Sequence, residues 1–122
     1  MRALVSVCLL FLPAAAAAQP APRTVEVRLS SFDFTPNEIR LRAGEPVILH
    51  LVNSGRGGHN FSAPQFFAAA RGVSGPVSRG AVEVGSHGSA DVRLTPAAGR
   101  YRLRCTHSLH TAFGMTGNIT VE

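Results

Sequence analysis

The chain has 122 residues, 45% of them hydrophobic and 7% aromatic, with twelve Arg, no Lys, seven acids and a formal charge of +5. That length suits one domain with a core of its own, and its apolar runs are shorter than the roughly 20 residues that span a bilayer, so no stable membrane insertion is expected. The Arg residues are scattered along the sequence with few aromatics between them, which excludes an obvious nucleic-acid interface.

In chain order, Met1 and Arg2 precede an apolar stretch from Ala3 to Leu12, then Pro13 and the small residues Ala14 to Ala18. A basic start, an apolar centre and a small-residue end predict an export signal over residues 1–18, cut before Gln19. The chain is therefore expected in the periplasm or secreted, with residues 19–122 as a single soluble domain and a monomer. Cys8 lies in the apolar centre behind Val7, not behind the small residue that lipid attachment favours. Without the signal, eleven Arg face seven acids, a formal +4, and Cys105 is the sole cysteine. A modest positive charge can steer an acidic partner. A sole cysteine in an exported chain rules out an internal disulfide and requires another explanation.

Thr24–Ser30 alternates apolar and polar residues, the period of a half-buried strand. Phe32 and Phe34 are expected to anchor the next segment in the core. Thr35-Pro36-Asn37 turns the chain into a second alternating strand, Glu38–Arg42, which ends at Ala43-Gly44. Val47–Val52 is almost continuously apolar and suits a central strand. His50 shares a face with Ile48 and Val52, and reads as a hydrogen-bonded strand histidine in preference to a ligand.

Ser54–Gly58 is a Gly-rich loop without the Gly-Lys-Ser/Thr ending of a phosphate loop, so its expected job is to carry His59. Pro64–Ala70, with an early Pro and Gly72 beyond its end, predicts a short helix. Gly72–Gly80 reads as loop. Ala81–Val84 and Ser89–Leu94 read as strands around a turn that exposes His87. Tyr101, Leu103 and Cys105 alternate with Arg100, Arg102 and Arg104, so the strand that follows Thr95–Gly99 delivers Cys105 to the end of a core face. Met115–Val121 closes a sheet. About seven to eight strands with frequent turns predict an all-β Greek-key sandwich with one short helix.

Steps of five residues separate Cys105, His110 and Met115, so a thiol, an imidazole and a thioether fall within eleven residues. With His59 as a second imidazole, this is the ligand composition of a blue-copper centre. The pair His59-Asn60, followed by Tyr101-x3-Cys105-x4-His110-x4-Met115-x-Gly117-x-Ile119-x-Val121, resembles the cupredoxins, the plastocyanin- and azurin-like small blue copper proteins. The resemblance covers the whole predicted exported part. It implies one type 1 copper held by His59, Cys105 and His110 with Met115 as a weak axial ligand. It also implies a hydrogen bond from Asn60 toward Thr106, and single-electron exchange with redox partner proteins, where an acidic docking surface would suit the positive charge. Where many relatives have Pro-Gly between Cys and the second His, this chain has His107-Ser108-Leu109. His107 is the alternative ligand, since an extended Cys105-x-His107 can chelate, but the five-residue spacing favours His110.

Two other functions compete. Copper delivery or storage tends to use several exposed Met and His; here one Met follows the signal, although His50, His87 and His107 suit that role. A Cys-His hydrolase would leave Met115 without a purpose in a fold with little room for a cleft, so no enzyme activity is expected.

Overall fold

A computed structural model of the chain describes residues 8–15, 21–107, 110 and 113–122. The predicted export signal falls partly outside these residues, as does its cleavage point; residues 8–15 are exposed and carry no regular structure. Among the described residues, no helix is long and apolar enough to cross a membrane.

The described chain forms ten strands and one helix: β1 (Arg23–Ser30), β2 (Asp33–Thr35), β3 (Glu38–Leu41), β4 (Val47–Asn53), β5 (His59–Ser62), α1 (Pro64–Ala69), β6 (Arg71–Ser74), β7 (Ala81–Val84), β8 (Ser89–Thr95), β9 (Gly99–Arg104) and β10 (Thr116–Val121). They build two five-stranded sheets, ordered β2-β1-β4-β8-β6 and β3-β10-β9-β5-β7. Alternation decides which residues meet between the sheets. Val47, Leu49 and Leu51 of β4 are buried while Ile48, His50 and Val52 are half-buried on the outer side, so the strand read as uniformly apolar has one face turned away from the core. Val27 and Leu29 of β1 and Val92 and Leu94 of β8 extend that inner face.

The opposing sheet contributes Ile39, Phe61, Val82, Leu103 and Ile119 to the same core. Phe61 sits edge-on to Phe34 and to Phe67, with ring centroids 6.1 and 6.0 Å apart. Phe66 and Phe67 of α1 are both buried, so this short helix plugs the sandwich as part of the core instead of lying over its edge.

Three elements differ from the sequence reading. The predicted loop from Gly72 contains the end of β6, an exposed strand whose four residues, Gly72 among them, show no apolar alternation. His59–Ser62 is a strand in place of a loop end, and Asp33–Thr35 pairs with β1. Phe32, expected in the core, is 42% exposed: Ser31 and Phe32 both have left-handed backbones, with φ of 43° and 65°, and that reversal turns the ring outward. Such conformations cost roughly 1–3 kcal/mol each.

Because Phe61 lies at the meeting point of both sheets and α1, Phe61→Ala should destabilise the fold by about 3–5 kcal/mol, the cost of a large aromatic cavity. Urea denaturation followed by far-ultraviolet circular dichroism measures this; a loss below about 1 kcal/mol would mean that the core collapses around the gap.

Candidate metal centre

Cys105 follows the last residue of β9 and keeps the inward phase of Tyr101 and Leu103, so its side chain is fully buried. Antiparallel pairing of β9 with β10 brings Met115 back beside it: the Cys105 N–H donates to the Met115 carbonyl at 3.1 Å. Between them the chain reverses. The His110 N–H donates to the His107 carbonyl at 3.1 Å, and the Met115 N–H to the His110 carbonyl at 2.9 Å. Gly114, at φ 88°, takes a left-handed conformation that suits glycine. Ser108 and Leu109 lie outside the described residues.

His59 arrives from the other direction at the head of β5. Asn53 shapes its approach: its Oδ1 accepts from the Gly55 N–H at 2.9 Å, and its Nδ2 donates to the Gly57 and Val84 carbonyls at 2.8 and 3.0 Å. The loop's bare backbone lies along the imidazoles, since a Cβ on Gly55 would stand 3.5 Å from His59 Nε2. The result is a compact donor set. His59 Nδ1 and His110 Nδ1 are 3.1 Å apart, and His110 Nδ1 is 3.2 Å from Cys105 Sγ. Among the described residues, His59, Cys105 and His110 form the cluster of His, Cys, Asp and Glu donors close enough to share a metal ion.

A metal fits here by its chemistry. Bonds of about 2.0–2.3 Å to nitrogen and sulfur place neighbouring tetrahedral ligands roughly 3.3–3.8 Å apart, close to the observed spacings. Burial holds the His59 pKa below its usual value, and the neighbouring His110 and His107 rings lower it further; the neutral imidazole is the form that binds a metal. The Asn60 backbone N–H donates to Cys105 Sγ at 3.4 Å. The thioether of Met115 belongs to a fully buried side chain between the same strands.

A polar network encloses the donors. Asn60 Oδ1 accepts from the Thr106 N–H at 2.8 Å while its Nδ2 donates to Thr106 Oγ1 at 2.7 Å and to Glu83 Oε1 at 2.8 Å. The second Glu83 oxygen is 2.8 Å from His107 Nε2. Burial would raise the Glu83 pKa, but the hydrogen bonds to Asn60 and His107 and the His107 charge outweigh it and leave the carboxyl below its usual value. His107 is thus engaged with Glu83 on the outer side of the loop. His50 bonds Asp91 at 2.5 Å on the other sheet, and His87 is exposed in its turn.

Glu83, Asn53 and Phe32 were not legible as site residues. Glu83 is one polar position in an ordinary alternating strand, and only the pairing of Asn60 with Glu83 reveals it. Asn53 before Ser54-Gly55 carried a recognisable Asx-turn signal. Phe32 places its ring edge-on to His110, with centroids 4.9 Å apart, and touches Phe113 at 5.3 Å. An open cleft lined by Phe32, Arg56, His59, His107 and His110 exposes one side of the site.

Residues 2–121 match the sequence profile of the cupredoxin-like domain. The chain belongs to the cupredoxin-like family. No curated protein sequence matches it significantly. Among solved structures, this cupredoxin-like chain is similar to auracyanin B at 26% identity and a TM-score of 0.64, over 88% of this chain and 95% of that one. It shares its fold with a dithionite-reduced auracyanin from the photosynthetic bacterium Roseiflexus castenholzii, at 23% identity and a TM-score of 0.64, over 84% and 99% of the two chains. Auracyanin A, a blue copper protein of the green thermophilic photosynthetic bacterium Chloroflexus aurantiacus, has the same fold at 18% identity and a TM-score of 0.61, over 84% and 100%.

Glu83→Ala removes partners from both Asn60 and His107 and should destabilise the metal-free protein by about 1–2 kcal/mol, whereas Glu83→Gln, which can still bond both groups, should lose less. Chemical denaturation of the two variants decides it. Equal losses would mean that the charge of Glu83 matters and its bonding geometry does not.

Proposed function

We propose that this chain is an exported type 1 copper protein that passes single electrons between redox partners, with residues 1–18 as a cleaved signal and the periplasm or cell exterior as its place of action. The observation that carries the reading is the convergence of His59 Nδ1, Cys105 Sγ and His110 Nδ1 at the mouth of a rigid sandwich, beside the buried Met115. His59, Cys105 and His110 would hold the copper equatorially, and Met115 would be its weak axial ligand. When bound, copper in such a thiolate and imidazole set supplies a one-electron Cu(I)/Cu(II) couple.

The protein's own contribution is a frame that does not rearrange. Asn60 fixes the backbone after Cys105 relative to the strand that carries His59, and its backbone N–H donates to the Cys105 sulfur. Burial of Cys105 and Met115 keeps water from the inner side, while half-exposed His110 gives electrons a route to the surface. Catalysis has no assigned residues in this scheme, and the favoured partner is a protein with an acidic docking surface. The match to auracyanins, one of them described as a blue copper protein, supports the reading.

The oxidised, copper-loaded protein should show an intense visible thiolate-to-copper band that Cys105→Ser abolishes. A nearly colourless Cu(II) complex with a tetragonal spin-resonance signal would overturn the electron-carrier reading. His110→Ala should change the spectrum drastically while His107→Ala leaves it nearly intact, and the reverse outcome would exchange their roles.

Met115→Leu should leave a coloured protein, since Met and Leu are similar in size and the core cost stays below about 1.5 kcal/mol. Loss of the thioether disfavours Cu(I), but the drier site disfavours the doubly charged ion more, so the potential should rise. Titration against redox mediators measures the shift, and an unchanged potential would place the sulfur away from the metal.

A further inference from the structure

Arginines that are scattered in sequence are gathered by strand pairing onto the outer face of the sheet β3-β10-β9-β5-β7. On β9, Arg100, Arg102 and Arg104 all point outward, opposite the buried phase of Leu103 and Cys105. Thr120 of β10 lies between Arg40 and Arg100, Asn118 between Glu38 and Arg102, and Thr116 and Ser62 flank Arg104. Three acids share this face. Exposed Glu122, next after β10, lines a hollow with Arg40 and Arg42. Glu38 pairs with Arg100 at 3.8 Å, and Glu83 is engaged with His107 and Asn60. Among the described residues, Arg40, Arg102 and Arg104 have no carboxylate within ion-pairing distance.

The other sheet is arranged differently. On its outer face Glu26 pairs with Arg28, and His50 pairs with Asp91. Arg93 of β8, also outward and without an ion pair among the described residues, is the single such arginine of its strand, whereas β9 repeats like charges at every second residue, which repel one another over about 7 Å. The charged face also runs to the candidate metal centre. Arg104 is bonded directly to Cys105, and Arg79 joins Arg104 on the walls of a groove that reaches Asn60 and Thr106.

We infer that the outer face of this sheet, from Arg40 through Arg102 to Arg104 and Arg79, is the docking surface for an acidic protein that exchanges electrons with the metal centre. The inference rests on the electron-carrier reading for the partner's redox role, and on geometry for the location. Charge complementarity selects an anionic occupant and raises the rate of encounter. A bilayer is the weaker occupant, because within residues 21–122 the exposed large apolar side chains described lie off this face: Val73 is on β6 of the other sheet, and Phe32 packs against His110 and Phe113. Adjacency to Cys105 favours a redox protein, since Arg104 of this face is the chain neighbour of the residue that carries the sulfur.

The test uses metal-free protein at low ionic strength and a peptide of about ten glutamates, followed by nuclear magnetic resonance. Shifts should centre on Arg40, Arg79 and residues 100–104 and vanish in about 0.5 M salt. The double substitution Arg102→Gln/Arg104→Gln should weaken the peptide about fivefold or more, the scale of two exposed ion pairs. Arg28→Gln/Arg93→Gln, with the same change in net charge on the other sheet, should change binding less than about twofold. Equal weakening by the two pairs, or shifts spread over both sheets, would overturn the docking face. So would vesicles of phosphatidylglycerol binding the wild type more tightly than the peptide does and losing that binding with Arg102 and Arg104. The wild-type shift map needs no variant to fold. Absence of the copper-thiolate band would sink the electron-carrier reading and leave the map standing, while a diffuse map would sink the docking face and leave the band.

Discussion

The side chain of Asn60 joins two parts of the chain that are 46 residues apart in sequence, accepting the Thr106 N–H and donating to the Thr106 hydroxyl and to Glu83. His59 precedes it and Cys105 precedes Thr106, and since β5 and β9 register with each other through the single pair Ser62 and Arg104, this amide carries the alignment on from that pair to the imidazole and the sulfur. A side chain of lower bonding capacity could satisfy one of these groups and would leave the others to bond water, loosening the tie between the two strands. The site's geometry is thus a property of the sandwich's edge, where pairing gives out and side chains take over.

The fold class was legible because the alternating residues of β1, β3, β8 and β9 carry the period of two without ambiguity, and a turn signal closes each. Other parts were not. Gly72 has no side chain to mark a face, and β6 is exposed at all four positions, so no hydrophobic pattern existed to be read. Phe32 shows the limit of composition: an aromatic three residues from Leu29 looks like core until two left-handed residues turn it away. The spacing from Cys105 to Met115 was informative because ligand chemistry requires those types in one loop. Glu83 was invisible because its role exists only across a strand pair.

The same division holds for charge. Read in a line, Arg100, Arg102 and Arg104 stand close together; read across β3, β10 and β9, Arg40 joins them on the same face with β10 between. Pairing register brings residues about 60 apart in sequence, such as Arg40 and Arg100, to within two strand spacings, about 10 Å, with Thr120 between them, which is why net charge alone gave a sign but no direction.

β10 occupies an interior place in its sheet, parallel to β3 on one side and antiparallel to β9 on the other. The strand made late in synthesis is therefore the one that joins two strands made earlier, and until it arrives β3 has no neighbour in its own sheet. Contacts of such long range slow folding, and both edges stay open to wrong partners meanwhile. Met115 stands at the head of this strand, so the closing of the sheet and the completion of the donor set are a single event. A nascent chain short of β10 already carries His59, Cys105 and His110 in sequence, but not yet the strand at whose head the Met115 carbonyl accepts the Cys105 N–H.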